Sequence, residues 1–315
     1  IEWSIQYNLP VVIHTRDAIQ ETIDVVREFV PKGVRGIFHR LGGSYQHAKE
    51  ILDAGFYLGI GGVLTYKKSG LAEVLEKIDL NHLTKVLEIG CGVGAQMIEM
   101  LNRFPHIHIT GVDISDVQVG KARLNLKHSN IDPSRYELHC MDITQAHALS
   151  KEFEAVVMIW VLEHVSNDLE ILSAAKDHLI PNGQLILTEV YNDSLGFFPP
   201  QDDILMHWNK MNAFQKSIGG NGNIGIELGS ILKKLNFRNI EIKPYPILYD
   251  TTKLELRTEF FEYWISLMES GSKTMVDLNK IQSSEWEKVK NQLIQVSRNE
   301  EAVFFYNFIQ AFAFK

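Results

Sequence analysis

Glu88, Gly90, Gly92 and Gly94 stand within one short run, Glu-Ile-Gly-Cys-Gly-Val-Gly, directly after an apolar stretch. Glycines at that spacing let a backbone turn sharply and approach a ligand, with the amide end of the next helix facing it. The pattern is GxGxG. It is neither the GxGxxG of pyrophosphate binders nor the lysine-ended loop that cradles phosphates, and a tight turn without a ligand would produce it too. Two acidic residues follow at later strand ends. Asp113, in VDIS, is placed to accept hydrogen bonds from both hydroxyls of a ribose. Asp142, in CMDI, is placed to accept from an adenine amino group, with Met141 and Ile143 flanking the base. Each also reads as a local cap, Asp142 of a helix and Asp113 of a turn. Glu163 and His164, in LEHV, are the candidate bases, His164 because an imidazole titrates near neutrality. The same letters open a helix capped on its own backbone, and Trp160 suits either a ligand stack or the core. Near the start, His14 and His39 each end an apolar run, one strand-helix unit apart. That arrangement either directs two imidazoles at a common metal or leaves two buried histidines at a barrel rim. A hydrolytic metal centre needs more ligands and a bound water.

Two series of elements must position these residues. In the first, strands are predicted over 10–14, 34–40 and the run FYLGIGGVLTY, with helices over 17–30, through GSYQHAKEILDAG up to Gly55, and over GLAEVLEKI. Strands so closely followed by helices imply parallel βα units, whose chemistry sits at strand C-terminal ends. About three units cannot close an eight-stranded barrel. From Lys85 a fuller series begins, with strands predicted at 85–89, 108–112, 136–139, 154–159 and 184–190 and helices at 94–103, 116–128, 144–150 and 167–178. NIEIKPYPI and AVFFYNFIQAFAF read as closing strands, the second also compatible with a buried helix. An irregular stretch at 191–225 and helices at 254–269 and 283–298 read as insertions above the sheet, where a lid would lie. In those insertions Asn192, Trp208, Asn221 and Tyr263 could line an acceptor pocket.

Bulk properties narrow the classes. The 315 residues carry a formal charge of -8, which disfavours a broad nucleic-acid surface, and their 45% hydrophobic content suits a folded core. Cys91 and Cys140 are the two cysteines and form no CxxC, so a disulfide framework or cysteine-rich zinc site is not indicated. A reducing, cytoplasmic setting is expected. No run approaches the roughly 18 apolar residues of a membrane span. The chain starts at Ile1 inside an amphipathic run, so further sequence upstream is expected.

Residues 85–190 resemble the class I S-adenosylmethionine-dependent methyltransferases, through VLEIGCGVG, Asp113, Asp142, FEAVVMIWVLEHV and LIPNGQLILTE; GGNGNIGIELGSILKKLNFRNIEI extends the likeness toward the sixth strand. The resemblance implies a Rossmann-like sheet of seven strands, the last antiparallel. It implies S-adenosylmethionine as cofactor, with Glu88, Gly90, Cys91, Gly92, Gly94, Asp113, Ile114, Met141, Asp142, Ile143 and Trp160 around it. Trp160, Leu162 and His164 would lie near the methionine and the acceptor. No Asn-Pro-Pro-Tyr-like motif stands at the fourth strand, which weakens a flipped-base substrate and favours a small-molecule acceptor. The aromatic residues Phe197, Phe198, Trp208, Phe260, Phe261 and Trp264 would suit an apolar or aromatic acceptor, and core packing explains them equally well.

Residues 1–83 resemble an internal piece of the TatD-type metal-dependent hydrolases, barrel enzymes acting as nucleases, through LPVVIHTRDA, GIFHRLGGS and AKEILDAGFYLGIGGVLTYKKSG. By that resemblance His14 and His39 would ligate a divalent metal. Arg40 and Leu41 replace the family's Cys-Phe, and TKVLEIGCGVG stands where its next metal-site aspartate belongs. The expected architecture is therefore α/β: a partial (β/α) barrel fragment over 1–83, then a seven-stranded methyltransferase domain over 84–315 with helical insertions at about 191–225 and 250–300. The expected activity is methyl transfer to a small molecule. A TatD-like phosphodiesterase or a non-catalytic fusion product are the alternatives, and the sequence leaves the oligomeric state open.

Overall fold

The computed structural model describes residues 1–7, 9–14, 19–39, 50, 51, 53–59, 75–146, 149 and 152–315, and for residues 12, 14, 37–39 and 57–59 the backbone alone. The chain divides into two compact units, Ile1–Tyr66 and Lys67–Lys315.

In the first unit, helix α1 (Glu2–Gln6) precedes strand β1 (Val11–His14), helix α2 (Ile19–Phe29), strand β2 (Gly36–His39) and strand β3 (Tyr57–Gly59). The strands form a parallel sheet in the order β1-β2-β3. Ile23 and Val26, one helical turn apart on α2, are buried with Val34, Ile51 and Phe56. Gly33 and Gly55 take φ values of +88° and +78°, the left-handed conformation that ends a helix and releases the chain into the next strand. His14 is the register partner of His39. Most of the expected third strand beyond Gly59, and the helix expected over GLAEVLEKI as far as residue 74, lie outside the described residues.

The second unit is built on strands β4 (Lys85–Ile89), β5 (His108–Asp113), β6 (Tyr136–Cys140), β7 (Phe153–Ile159), β8 (Leu179–Phe198), β9 (Arg238–Tyr249) and β10 (Val303–Phe314). They form one seven-stranded sheet in the order β6-β5-β4-β7-β8-β10-β9. Strands β4 to β8 pair in parallel, while β10 lies antiparallel to both β8 and β9. This is a Rossmann-like methyltransferase sheet, and the aromatic run AVFFYNFIQAFAF is a strand, not a buried helix. Central strands buried on both faces explain why runs such as AVVMI are continuously apolar. Helices α3 (Ala95–Arg103), α4 (Asp116–His128), α5 (Asp168–His178), α6 (Asp202–Ser217), α7 (Ile224–Lys234), α8 (Leu254–Asp277) and α9 (Ser283–Arg298) accompany the sheet. Leu75, Ile78, Leu80 and Leu83 are buried in one cluster with Val86, Met97, Leu101 and Ile109. Residues before the change in sequence pattern at 83/84 thus complete the core of the second unit.

Three elements depart from the sequence expectation. Residues 191–225 are the end of β8, the whole of α6 and the start of α7, and not an irregular loop. The buried positions of α6 are Ile204, His207 and Trp208, and Met211 packs against the same core; this is helical spacing disguised by a histidine on the apolar face. Helix α8 runs on through Ser270 and Gly271 to Asp277, and at Gly271 the Met211 methyl lies 2.5 Å from where a Cβ would sit, a close approach that suits glycine. The helix expected at 144–150 is a single 3-10 turn over Ile143–Gln145, beyond which 147, 148 and 150 lie outside the described residues.

Candidate cofactor and acceptor site

The strand order reverses between β4 and β7, which opens a crevice at their C-terminal ends, the usual ligand position in such sheets. Every candidate from Glu88 to His164 falls at this end of the sheet. Gly90, Gly92 and Gly94 have φ values of +75°, +51° and +78°, so the turn needs all three glycines. A Cβ on Gly90 would meet Val161 Cγ2 at 2.5 Å, while one on Gly92 would meet nothing within 4 Å. The first glycine therefore keys the turn to the chain after β7, and the second leaves open space.

Asp113 ties the turn to the tip of β5. Its Oδ2 accepts from the Gly92 amide at 2.9 Å and its Oδ1 from the Ser115 amide at 2.9 Å. A carboxylate offers about four lone-pair sites, so two remain. Glu88 is 1% exposed, and its Oε2 is buried with no hydrogen-bond partner among the described residues. Burial, and next the neighbouring charge of Asp113, push its carboxyl well above the ordinary range. Ile114 is 74% exposed beside Asp113, while Ile143 is buried and Met141 half-buried. Asp142 caps the turn after β6, its Oδ1 accepting from the Thr144 amide at 2.9 Å and hydroxyl at 2.8 Å. The capping reading of Asp142 therefore holds for Oδ1, and Oδ2 faces only a 3.5 Å contact from Gln145. Cys91 packs its side chain in the core, leaving its backbone alone at the turn.

After β7 the chain turns through Trp160, a non-glycine residue at φ +56°. Its indole packs on Phe308 at 5.1 Å, and Nε1 is buried without a partner among the described residues. His164 has a side chain 66% exposed, 3.6 Å from Glu163 Oε1, whereas the Glu163 side chain is 14% exposed and accepts from Gln215 Nε2 at 3.2 Å. Burial raises the Glu163 carboxyl, opposed by the His164 charge and the Gln215 bond. Of the two candidate bases, the carboxylate is the less exposed. Of the insertion residues, Asn192 is buried and accepts from the Tyr306 hydroxyl at 2.6 Å, Trp208 Nε1 donates to the Asn192 carbonyl at 2.9 Å, and Asn221 Nδ2 donates to Glu227 at 2.9 Å.

Glu189 was not singled out from the sequence. It lies fully buried on β8, and its Oε1 accepts from the amides of Val161 and Leu162 at 3.0 and 2.8 Å. Burial first, then the Glu163 charge, push its carboxyl up to about 8 against those backbone bonds. The available signal was a glutamate in LILTEV, a charge at the end of a strand otherwise too apolar to carry one. In the first unit the backbones of His14 and His39 are adjacent; among the described residues no group of three metal-ligating side chains stands together.

The family model for TatD related DNase matches residues 1–85, and the model described as methyltransferase domain matches residues 86–183. The chain joins a TatD-hydrolase-like segment to a methyltransferase-like domain. On the first side, an uncharacterized metal-dependent hydrolase of Buchnera aphidicola subsp. Acyrthosiphon pisum is 34% identical over 84 residues, 26% of this chain and 32% of that protein. On the second, the mitochondrial ubiquinone biosynthesis O-methyltransferase of Arabidopsis thaliana is 35% identical over 108 residues, 34% of this chain and 32% of that protein. Each match thus spans about a third of its relative's length. A candidate methyltransferase of Bacillus halodurans superposes with a TM-score of 0.52 at 17% identity, over 78% of this chain and 99% of that one. The last comparison speaks for the fold of the methyltransferase-like domain and for nothing finer.

Proposed function

We propose that the methyltransferase-like domain binds S-adenosylmethionine and transfers its methyl group to a small-molecule acceptor. The observation that carries this reading is the buried Oε2 of Glu88, without a hydrogen-bond partner among the described residues, beside a glycine turn whose Gly92 faces open space. A buried polar atom without a partner costs about 1–3 kcal/mol, and an ammonium group supplied by a ligand would remove that cost. In this reading Glu88 faces the methionine amino end, Gly90, Cys91, Gly92 and Gly94 pass their backbone along the cofactor, and the two spare lone-pair sites of Asp113 receive the ribose hydroxyls. Ile114, Met141 and Ile143 enclose the adenine, and Asp142 Oδ2 accepts from its amino group. Trp160 closes the methionine side.

When bound, S-adenosylmethionine supplies an electrophilic methyl carbon on a sulfonium. The chain's own work is to align an acceptor in line with that carbon, exclude water and manage the acceptor's proton. Glu163 and Glu189 stand closest to that last task by burial, with His164 at the solvent edge as a route for the proton outward. Isothermal titration calorimetry with S-adenosylmethionine and S-adenosylhomocysteine tests the reading. Saturable binding of both, weakened at least tenfold by Asp113→Ala, is expected. Absence of binding by either compound would overturn it.

A further inference from the structure

One side chain of α6 holds the carboxylate of Glu163. Gln215 Nε2 donates to the Glu163 carbonyl at 3.1 Å and to its Oε2 at 3.2 Å. A side-chain amide nitrogen carries two protons, so each contact takes one, and the amide oxygen could make neither. Joining the backbone and the carboxylate of one residue through a single nitrogen closes a ring and holds the Glu163 side chain in one orientation. Oε2 is thereby occupied. Oε1 accepts no hydrogen bond among the described residues; it stands 3.6 Å from His164 Nε2, on a side chain that keeps 14% exposure.

The chain between α6 and α7 is shaped to this contact. The Asn221 amide donates to the same Glu163 carbonyl at 2.9 Å, and the Gly220 amide donates to the Gln215 carbonyl at 3.0 Å. A Cβ on Gly220 would lie 2.6 Å from the Glu163 carbonyl oxygen and 2.8 Å from Gln215 Cγ, so a side chain there would displace one or the other. Gly219, at φ +96°, turns the loop back onto Glu163. On the other side, Val161, two residues before Glu163, abuts Gly90 of the glycine turn. Gln215 thus joins α6 to a carboxylate two residues from the wall of the cofactor crevice.

We propose, building on the methyltransferase reading, that Gln215 is a positioning residue that turns Glu163 Oε1 toward the acceptor as its base. In the step this implies, the acceptor's nucleophilic atom gives its proton to Oε1 and keeps the bonding pair. It then forms a bond to the methyl carbon of S-adenosylmethionine as the carbon–sulfur bond breaks, the electron pair of that bond remaining on sulfur. The products are the methylated acceptor, S-adenosylhomocysteine and a protonated Glu163, which returns its proton to solvent beside His164. Burial raises the Glu163 carboxyl toward the range of a base, while the His164 charge and next the Gln215 bond restrain it. Gln215 acts on both the orientation and the protonation of Glu163 without touching the acceptor.

Carbon-13 NMR of the full chain, labelled at its glutamate side-chain carboxyls, tests the proposal, with the Glu163 signal identified by its loss in Glu163→Gln. The titratable groups around Glu163 are His164, Glu189 on β8, Tyr263 on α8 and Tyr306 on β10. They are the same in every sample, so differences between samples report the ligand and Gln215. Glu163 is expected to titrate lower in the S-adenosylmethionine complex than in the S-adenosylhomocysteine complex, because only the first brings a positive sulfur beside it. Gln215→Met fills similar space without a donor. In it Glu163 should titrate higher than in the parent, and the difference between the two complexes should be lost as the carboxylate leaves its orientation. A purely structural Gln215 would move neither. Binding of both compounds by the parent with no difference in Glu163 between them, or a Glu163 titration unchanged in Gln215→Met, overturns the proposal and leaves the methyltransferase reading standing. A Gln215→Met chain that fails to fold would assign Gln215 a structural role and overturn the proposal too. Failure of the parent to bind either compound overturns both.

Discussion

Replacing Glu189 by Gln should make the protein more stable, and increasingly so as the pH rises. The folded carboxyl is raised from 4.5 to about 8, chiefly by burial, so between those values the folded protein keeps a proton that the unfolded chain gives up. Stability of the parent then falls by about 1.4 kcal/mol per pH unit in that window. It stops falling once the folded group ionises near 8, and below 4.5 both states carry the proton and the term vanishes. Gln keeps an oxygen for the Val161 and Leu162 amides and cannot ionise. From pH 5.5 to 7.5 the variant should therefore gain about 3 kcal/mol on the parent. Glu88, also raised by burial, titrates in both proteins and cancels in the difference. The assay is urea denaturation followed by tryptophan fluorescence at half-unit pH steps, comparing midpoints. A difference between parent and variant that stays flat across the window would refute the burial argument for Glu189.

Other outcomes follow from the same geometry. Gly90→Ala places a methyl 2.5 Å from Val161 Cγ2 at a positive φ and should destabilise by about 2–4 kcal/mol, read as a lowered melting temperature. Gly92→Ala meets no atom within 4 Å, so it should cost only the backbone strain of about 1–2 kcal/mol while weakening S-adenosylhomocysteine binding far more than stability. Asn192→Ala removes the acceptor of the buried Tyr306 hydroxyl and should cost about 1–3 kcal/mol in denaturation. A chain beginning at Lys67 should unfold cooperatively, whereas one beginning at Thr84 loses Leu75, Ile78, Leu80 and Leu83 from the core, at about 1.5–3 kcal/mol each. Equal melting temperatures for the two truncations would contradict that packing.

What the sequence reveals depends on whether local pattern or distant packing decides a residue's state. The strands from Lys85 to Ile159 are legible, most plainly where an apolar run meets a glycine or an acid, as at Ile89–Gly90 and Val112–Asp113, and the structure places them within a residue or two of expectation. Helix α6 is hidden because His207, on its buried face, donates or accepts toward Ser272 at 2.8 Å, a partner 65 residues away that no local pattern announces. The full length of α8 is hidden because Ser270 and Gly271 read locally as a helix stop, while the Met211 side chain that packs on Gly271 lies 60 residues away in the chain. Within the site, the glycine turn and Asp113 are local features and stand out. Glu189 does not, because its significance arises only when β8 brings it beneath the Val161–Leu162 amides. The packing of residues 75–83 against the second unit was equally invisible, since the likeness of that stretch to a hydrolase points the reader to the other unit.

The account rests on the claim that the crevice at β4 and β7 holds S-adenosylmethionine. Ultraviolet crosslinking of methyl-labelled S-adenosylmethionine to the full chain, followed by peptide mapping, addresses it most directly. Label competed by S-adenosylhomocysteine should fall on peptides containing residues 88–94, 113–114, 141–143 or 160. No competable label, or label confined to residues 1–66, would contradict it.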